Sequence, residues 1–162
     1  MVKIERSFPA PASLESEAKK VSGSYEQPDV VSRLRKDFHD KCYICELKNL
    51  QDPQVEHLLP HKNGKYPERK FDWNNLFWSC SHCNGIKNQK KYDDGIIDCC
   101  KNDPELMMTF KLKDGKTEIS AKDEHNSMAV RTALLIYESF NLLNTGMRTY
   151  KVQCATMNLQ RK

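Results

Sequence analysis

Two pairs of cysteines set the terms on which this chain can fold: Cys42-Tyr-Ile-Cys45 and Cys80-Ser-His-Cys83. Each pair presents two thiolates on one tight turn, which is the geometry a tetrahedral Zn²⁺ requires. Cys42, Cys45, Cys80 and Cys83 are therefore the expected ligands of one structural zinc. The chain holds seven cysteines, an odd number that does not suit a disulfide framework. The 34 residues between the pairs exceed the roughly 15–20 of a compact zinc ribbon, so a structural unit is inserted between the two knuckles. Cys99, Cys100 and Cys154 match no ligand spacing and read as small buried hydrophobes.

At 162 residues the chain has the length of about one domain. Its hydrophobic fraction of 38% is lean but adequate for one core with polar extensions. No apolar run approaches the roughly 18 residues of a membrane span, and Met-Val-Lys-Ile-Glu-Arg opens no signal peptide. A cytoplasmic protein without a membrane partner is the expectation. A net charge of +4 excludes a histone-like polycation, so nucleic-acid affinity has to come from a local patch. Such a patch exists between Leu58 and Lys91, where seven bases face two acids. Acids dominate from Tyr92 to Glu105, and bases return in Arg148, Lys151, Arg161 and Lys162.

The pattern predicts an α+β fold. Residues 1–27 are rich in Pro, Ala and Ser and read as an extended arm, with a short helix over Leu14–Val21. Pro28 to Phe38 is a stronger helix, with Pro in its first turn and Val30, Leu34 and Phe38 at i, i+4, i+8. Val55–Leu59 reads as a strand stopped by Pro60, Leu76–Trp78 as a second, and the segment from Cys83 to Lys91 as a short helix. Residues 28–95 thus form a ββα unit held by zinc. Residues 96–162 add a hairpin turning at Asp114-Gly115 and a helix from Ser127 to about Asn144 that Gly146 stops, a region that packs on the core or docks a partner.

Inside the knuckle frame lie Glu56-His57-Leu-Leu-Pro60, Asn74-Asn75-Leu76, and Asn84 directly after Cys83. Neighbours on a strand point to opposite faces, so a carboxylate can hold a metal while the imidazole beside it stays free as a base. Asn84 can aim an amide oxygen at the same metal, and hard oxygen donors favour Mg²⁺ or Mn²⁺ over zinc. Lys62, Lys87, Lys90 and Lys91 surround these residues as expected phosphate contacts. His61 and His82 read first as surface residues beside them, with contact to substrate as the alternative.

This constellation, from Cys42 to about Lys91, resembles the HNH nuclease family and its zinc-stabilised ββα-metal core, in the variant with Asn as the third motif residue. The resemblance implies that His57 is the general base activating water. It also implies that Glu56 and Asn84 bind one catalytic cation, and that Asn75 orients His57 by tethering the loop. The substrate class would be nucleic acid, with DNA favoured. A narrower resemblance, carried by the Met1–Arg6 arm, Lys41–Glu46, Val55–His57, Phe140–Asn144 and Arg148, is to the HNH proteins of bacterial antiphage systems of the Septu and retron-associated class. It implies an ABC-type ATPase partner, since this sequence holds no phosphate-binding Gly-rich loop of its own. The competing reading is a non-catalytic four-cysteine zinc module that binds nucleic acid or protein. Such a module needs the cysteines and the bases but has no use for Glu56, His57, Asn75 and Asn84.

Overall fold

The strand leading into the second knuckle is buried at all five positions, and the rest of the fold is arranged around it. In the computed structural model, which describes residues 1–113 and 116–141, this strand (β2, Leu76–Cys80) pairs antiparallel with β1 (Pro53–His57). The register sets Pro53 opposite Cys80 and His57 opposite Leu76. The ladder closes at His57 and does not reach Leu59, because the Leu59 N–H is taken by the Asn75 side chain at 2.8 Å. Helix α3 (Ser81–Lys87) follows β2 without a linker. It starts two residues earlier than the sequence pattern suggests because Cys80 caps it, its Sγ accepting from the Cys83 N–H at 3.4 Å.

Helix α2 (Pro28–Asp37) packs against β2 with Val30, Leu34 and, just past its end, Phe38 fully buried. The i, i+4, i+8 apolar stripe becomes the core-facing side of the helix. Residues 1–27 are not a free arm. Met1, Ile4 and Leu14 are buried, and α1 (Ala12–Ala18) packs on α2. The Arg6 guanidinium lies over the rings of Phe38, Trp73 and Phe77 and donates to the carbonyls of Trp73 and Leu76 at 2.7 and 2.8 Å. A charged residue inside a Pro- and Ala-rich stretch gave no hint of this role, which needs the carbonyls of a distant loop.

The second sheet is the expected hairpin, β3 (Met108–Lys113) with β4 (Lys116–Ala121), preceded by the short α4 (Pro104–Met107). Its Asp114-Gly115 turn lies outside the described residues. Helix α5 (Ser127–Asn141) covers β4 and touches α3, burying Ala129, Ala133, Leu135, Ile136 and Phe140. The fold is thus α+β, with two small two-stranded sheets and a four-cysteine cluster among the described residues. Gly146, Arg148 and Cys154 lie outside the described residues, as do the bases that follow them. No described helix is long and apolar enough to cross a membrane.

Candidate functional site

The four knuckle cysteines converge. Cys42 and Cys45 sit on the turn after α2, which is closed by hydrogen bonds from Cys42 N to Leu47 O and from Glu46 N to Cys42 O. Glu46 turns the chain in the left-handed region at φ 60°. Cys80 and Cys83 come from the end of β2 and the first turn of α3. All four thiols are buried, and their sulfurs lie within 4.8 Å of one another. A regular tetrahedron with Zn–S of ~2.3 Å has S···S edges of ~3.8 Å, and Cys45 and Cys80 are 3.9 Å apart. The donor set and spacing fit a structural metal such as zinc. Burial alone would raise the Cys42 thiol. Hydrogen bonds from Cys45, Cys80 and Cys83 outweigh it and hold Cys42 well below its ordinary value, while Cys45 and Cys83, which bond to it, are pushed well above. Ser79, fully buried, sets its hydroxyl 3.7 Å from the Cys42 sulfur.

At the other end of the β1–β2 ladder a cleft of about 700 Å³ opens, lined among others by Glu56, His57, Asn84, Lys62, Lys87 and Lys90. Residues remote in sequence are brought together here by the strand pair and by α3, which runs back along it. His57 is half-buried, and its Nε2 lies 3.0 Å from the Lys70 carbonyl. A carbonyl only accepts, so Nε2 carries the hydrogen and Nδ1 keeps the lone pair. Burial lowers the His57 pKa to about 4, helped by the neighbouring His61, Lys87 and Lys70. The imidazole is therefore neutral at pH 7, a state in which Nδ1 can accept a proton.

Asn75 holds the loop that carries this contact. Buried beneath it, Asn75 accepts from Leu59 N at 2.8 Å and donates to the carbonyls of Leu59 and Arg69 at 2.8 and 3.0 Å. Lys70, whose carbonyl meets His57, is thus one residue from an anchored point. Its ammonium in turn donates to Gly23 O at 2.9 Å. Gly23 is the residue that fits there, because a Cβ would lie 1.9 Å from the Glu17 carbonyl oxygen. The same segment delivers Tyr25, whose ring meets His57 edge-on at 4.5 Å. Sequence reasoning missed Tyr25, and no local signal marks it. His61, read as a surface residue, lines the cleft 4.8 Å from His57.

Glu56 is 5% exposed, with one carboxylate oxygen on Tyr43 Oη and the other on Lys87 Nζ, both at 2.5 Å. Burial raises its pKa against the opposing pull of Lys87 and Tyr43. Glu56 and Asn84 both line the cleft, and a carboxylate with an amide oxygen is a donor pair suited to a hard, water-completed cation. The residues therefore fit such an ion in kind, with the Lys87 ammonium standing at one of the donors.

The basic residues are not equivalent. Lys87 faces inward, its side chain 5% exposed and its ammonium also 2.9 Å from the His57 carbonyl. It is not the solvent-facing phosphate contact that its place in a Lys-rich run suggested. The reason is the helical period, which turns position 87 onto the buried side of α3. Lys62 pairs with Asp93 at 2.8 Å, and Lys91 pairs with Glu138 of α5. Lys90 is exposed at the cleft mouth. His82 is buried as well, its Nε2 3.0 Å from the Ser139 carbonyl, and ties α3 to α5.

Searches of protein-family models, of curated proteins and of solved structures find no match to this chain.

Proposed function

We propose that the protein is a metal-dependent endonuclease of the HNH type, in the variant with Asn as third motif residue. On this reading the β1–β2–α3 unit is a ββα-metal core. The observation that carries the proposal is one basic cleft lined by Glu56, His57 and Asn84 together, a ladder-length from a four-thiol cluster. A zinc module that merely binds nucleic acid or protein has no need of a neutral, oriented imidazole beside a buried carboxylate.

In this reading Nδ1 of His57 takes the proton of the attacking water, while Nε2–H on the Lys70 carbonyl fixes the ring and the tautomer. Asn75 keeps that carbonyl in place through its own three hydrogen bonds. Glu56 and Asn84 would hold one Mg²⁺ or Mn²⁺, which when bound neutralises charge on the phosphate and the leaving oxygen. Lys90 and the cleft's other bases attract the phosphate backbone without regard to sequence. DNA is the favoured substrate, and an ABC-type ATPase of an antiphage system the proposed partner. Helix α5 offers Val130, Leu134 and Tyr137, each exposed, as the face toward such a partner.

The test is cleavage of plasmid DNA by zinc-loaded protein with Mg²⁺ or Mn²⁺, comparing wild type with His57→Ala. Losing the general base should lower the rate by at least ~10²-fold with zinc content and melting temperature nearly unchanged. Mild chelation should stop cleavage before zinc is lost, and added Mg²⁺ should restore it. Equal rates for the two proteins, or no cleavage of DNA or RNA by either, favour the zinc-module reading.

A further inference from the structure

The two oxygens of Glu56 have different neighbours. Oε2 accepts from the Tyr43 hydroxyl, and Tyr43 lies inside the first knuckle, between the thiols of Cys42 and Cys45. The phenol is buried and sits 2.5 Å from the carboxylate oxygen to which it donates. This link ties the carboxylate to the metal-thiolate end of the fold. Oε1 instead meets an ammonium on a long, bendable side chain. Lys87 Nζ is 2.5 Å from Glu56 Oε1 and 2.9 Å from the His57 carbonyl oxygen. A cation held by a carboxylate oxygen and a backbone carbonyl, in a cleft that Asn84 also lines, has the surroundings of a hard metal ion.

We infer that Lys87 is a built-in placeholder for the divalent cation, standing on Glu56 Oε1, and that Tyr43 is the positioning residue that holds Oε2 while Oε1 changes partner. The inference rests on the reading of Glu56 as a cation ligand and adds how that ligand is kept and exchanged. A carboxylate this buried is costly to leave charged without a partner. Lys87 supplies that partner before the ion arrives and makes entry a competition between two cations. Once displaced, the ammonium remains in the cleft, where a phosphate oxygen can take it. Tyr43 keeps the carboxylate from rotating during the exchange, because its ring is packed against Phe38 and Phe77 at 6.4 and 4.9 Å.

The experiment is Mn²⁺ binding to the zinc-loaded full chain, followed by electron paramagnetic resonance without nucleic acid. Lys87→Met removes the competitor, and affinity should rise at least about tenfold, since a like charge no longer opposes the incoming ion. Tyr43→Phe removes a hydrogen bond to the carboxylate and should weaken Mn²⁺ about three- to tenfold, with zinc content unchanged. If Lys87→Met does not fold, Lys87→Gln, neutral and still able to donate to Glu56, should show the same tightening. Unchanged or weaker Mn²⁺ binding in the Lys87 variant overturns the placeholder role, and unchanged binding in Tyr43→Phe overturns the positioning role. Failure of the nuclease reading is separable. Wild type that cleaves nucleic acid while neither variant shifts Mn²⁺ sinks this inference alone, whereas shifted Mn²⁺ affinity in a protein that cleaves nothing sinks the activity and leaves the ion site.

Discussion

The two ends of the β1–β2 ladder are built on opposite principles. At the Pro53–Cys80 end four buried sulfurs crowd together. At the His57–Leu76 end the charged groups already answer one another, Glu56 with Lys87 and Lys62 with Asp93. The first end has the donor set of a structural metal such as zinc; the second pairs its charges among its own side chains. On the proposed reading, a structural metal and an exchangeable one share a single short unit without competing for ligands. Soft thiolates and hard oxygens select different ions, and the strand pair keeps the two sets apart.

The comparison breaks most visibly at the thiol end. Cys83→Ser should leave protein that is insoluble or unfolded and poor in zinc, because structural zinc supplies ~10 kcal/mol or more of folding free energy, as much as a whole domain's net stability of ~5–15 kcal/mol. Zinc per chain and circular dichroism check it; folded, zinc-free Cys83→Ser protein would remove the metal from the account of the fold. Asn75→Ala acts at the cleft end and should cost ~2–4 kcal/mol, because it strands the Leu59 N–H and two carbonyls in a buried loop. Chemical unfolding of the zinc-loaded protein measures the loss, and zinc content should stay at the parental level. A loss of zinc in this variant would mean that the two ends are one cooperative site.

Asn84→His sharpens the contrast without disturbing stability. Exchanging an amide oxygen for an imidazole should move the cleft's preference from Mg²⁺ toward Mn²⁺, Ni²⁺ or Zn²⁺, read from cleavage across a series of metals. The same preference in both proteins would remove Asn84 from the ion site. Lys90→Ala carries the smallest effect. Affinity for nucleic acid should fall a few-fold, and the slope of log affinity against log salt should flatten by about one. An equal effect from Lys62→Ala would show that the pair with Asp93 opens on binding.

Sequence and structure contributed unequally to the two ends, for a physical reason. Thiol ligands come in pairs set by a local turn, so Cys42, Cys45, Cys80 and Cys83 announce a tetrahedral site from spacing alone, and the structure gathers those four sulfurs. Helix α2 was legible for a similar reason, since Val30, Leu34 and Phe38 repeat at the helical period. The hairpin of β3 and β4 follows from its alternation and from Asp114-Gly115. Glu56, His57, Asn75 and Asn84 could be picked out only as a group, and their common cleft depends on β1, β2 and α3 folding together.

What the chain could not reveal by itself is which polar groups answer which. Lys87 sits in a run of lysines that reads as a set of phosphate contacts, yet the turn of α3 sends it inward to Glu56. Tyr43 is a spacer between two cysteines until β1 brings Glu56 to its hydroxyl. Arg6 and Tyr25 lie in a segment that reads as an arm, yet one props the loop carbonyls and the other covers His57. Local pattern determined the elements and the thiol site, because propensity and ligand spacing are properties of neighbours in sequence. Tertiary structure decided the electrostatics of the cleft, because a buried charge takes its partner from whatever the fold sets against it.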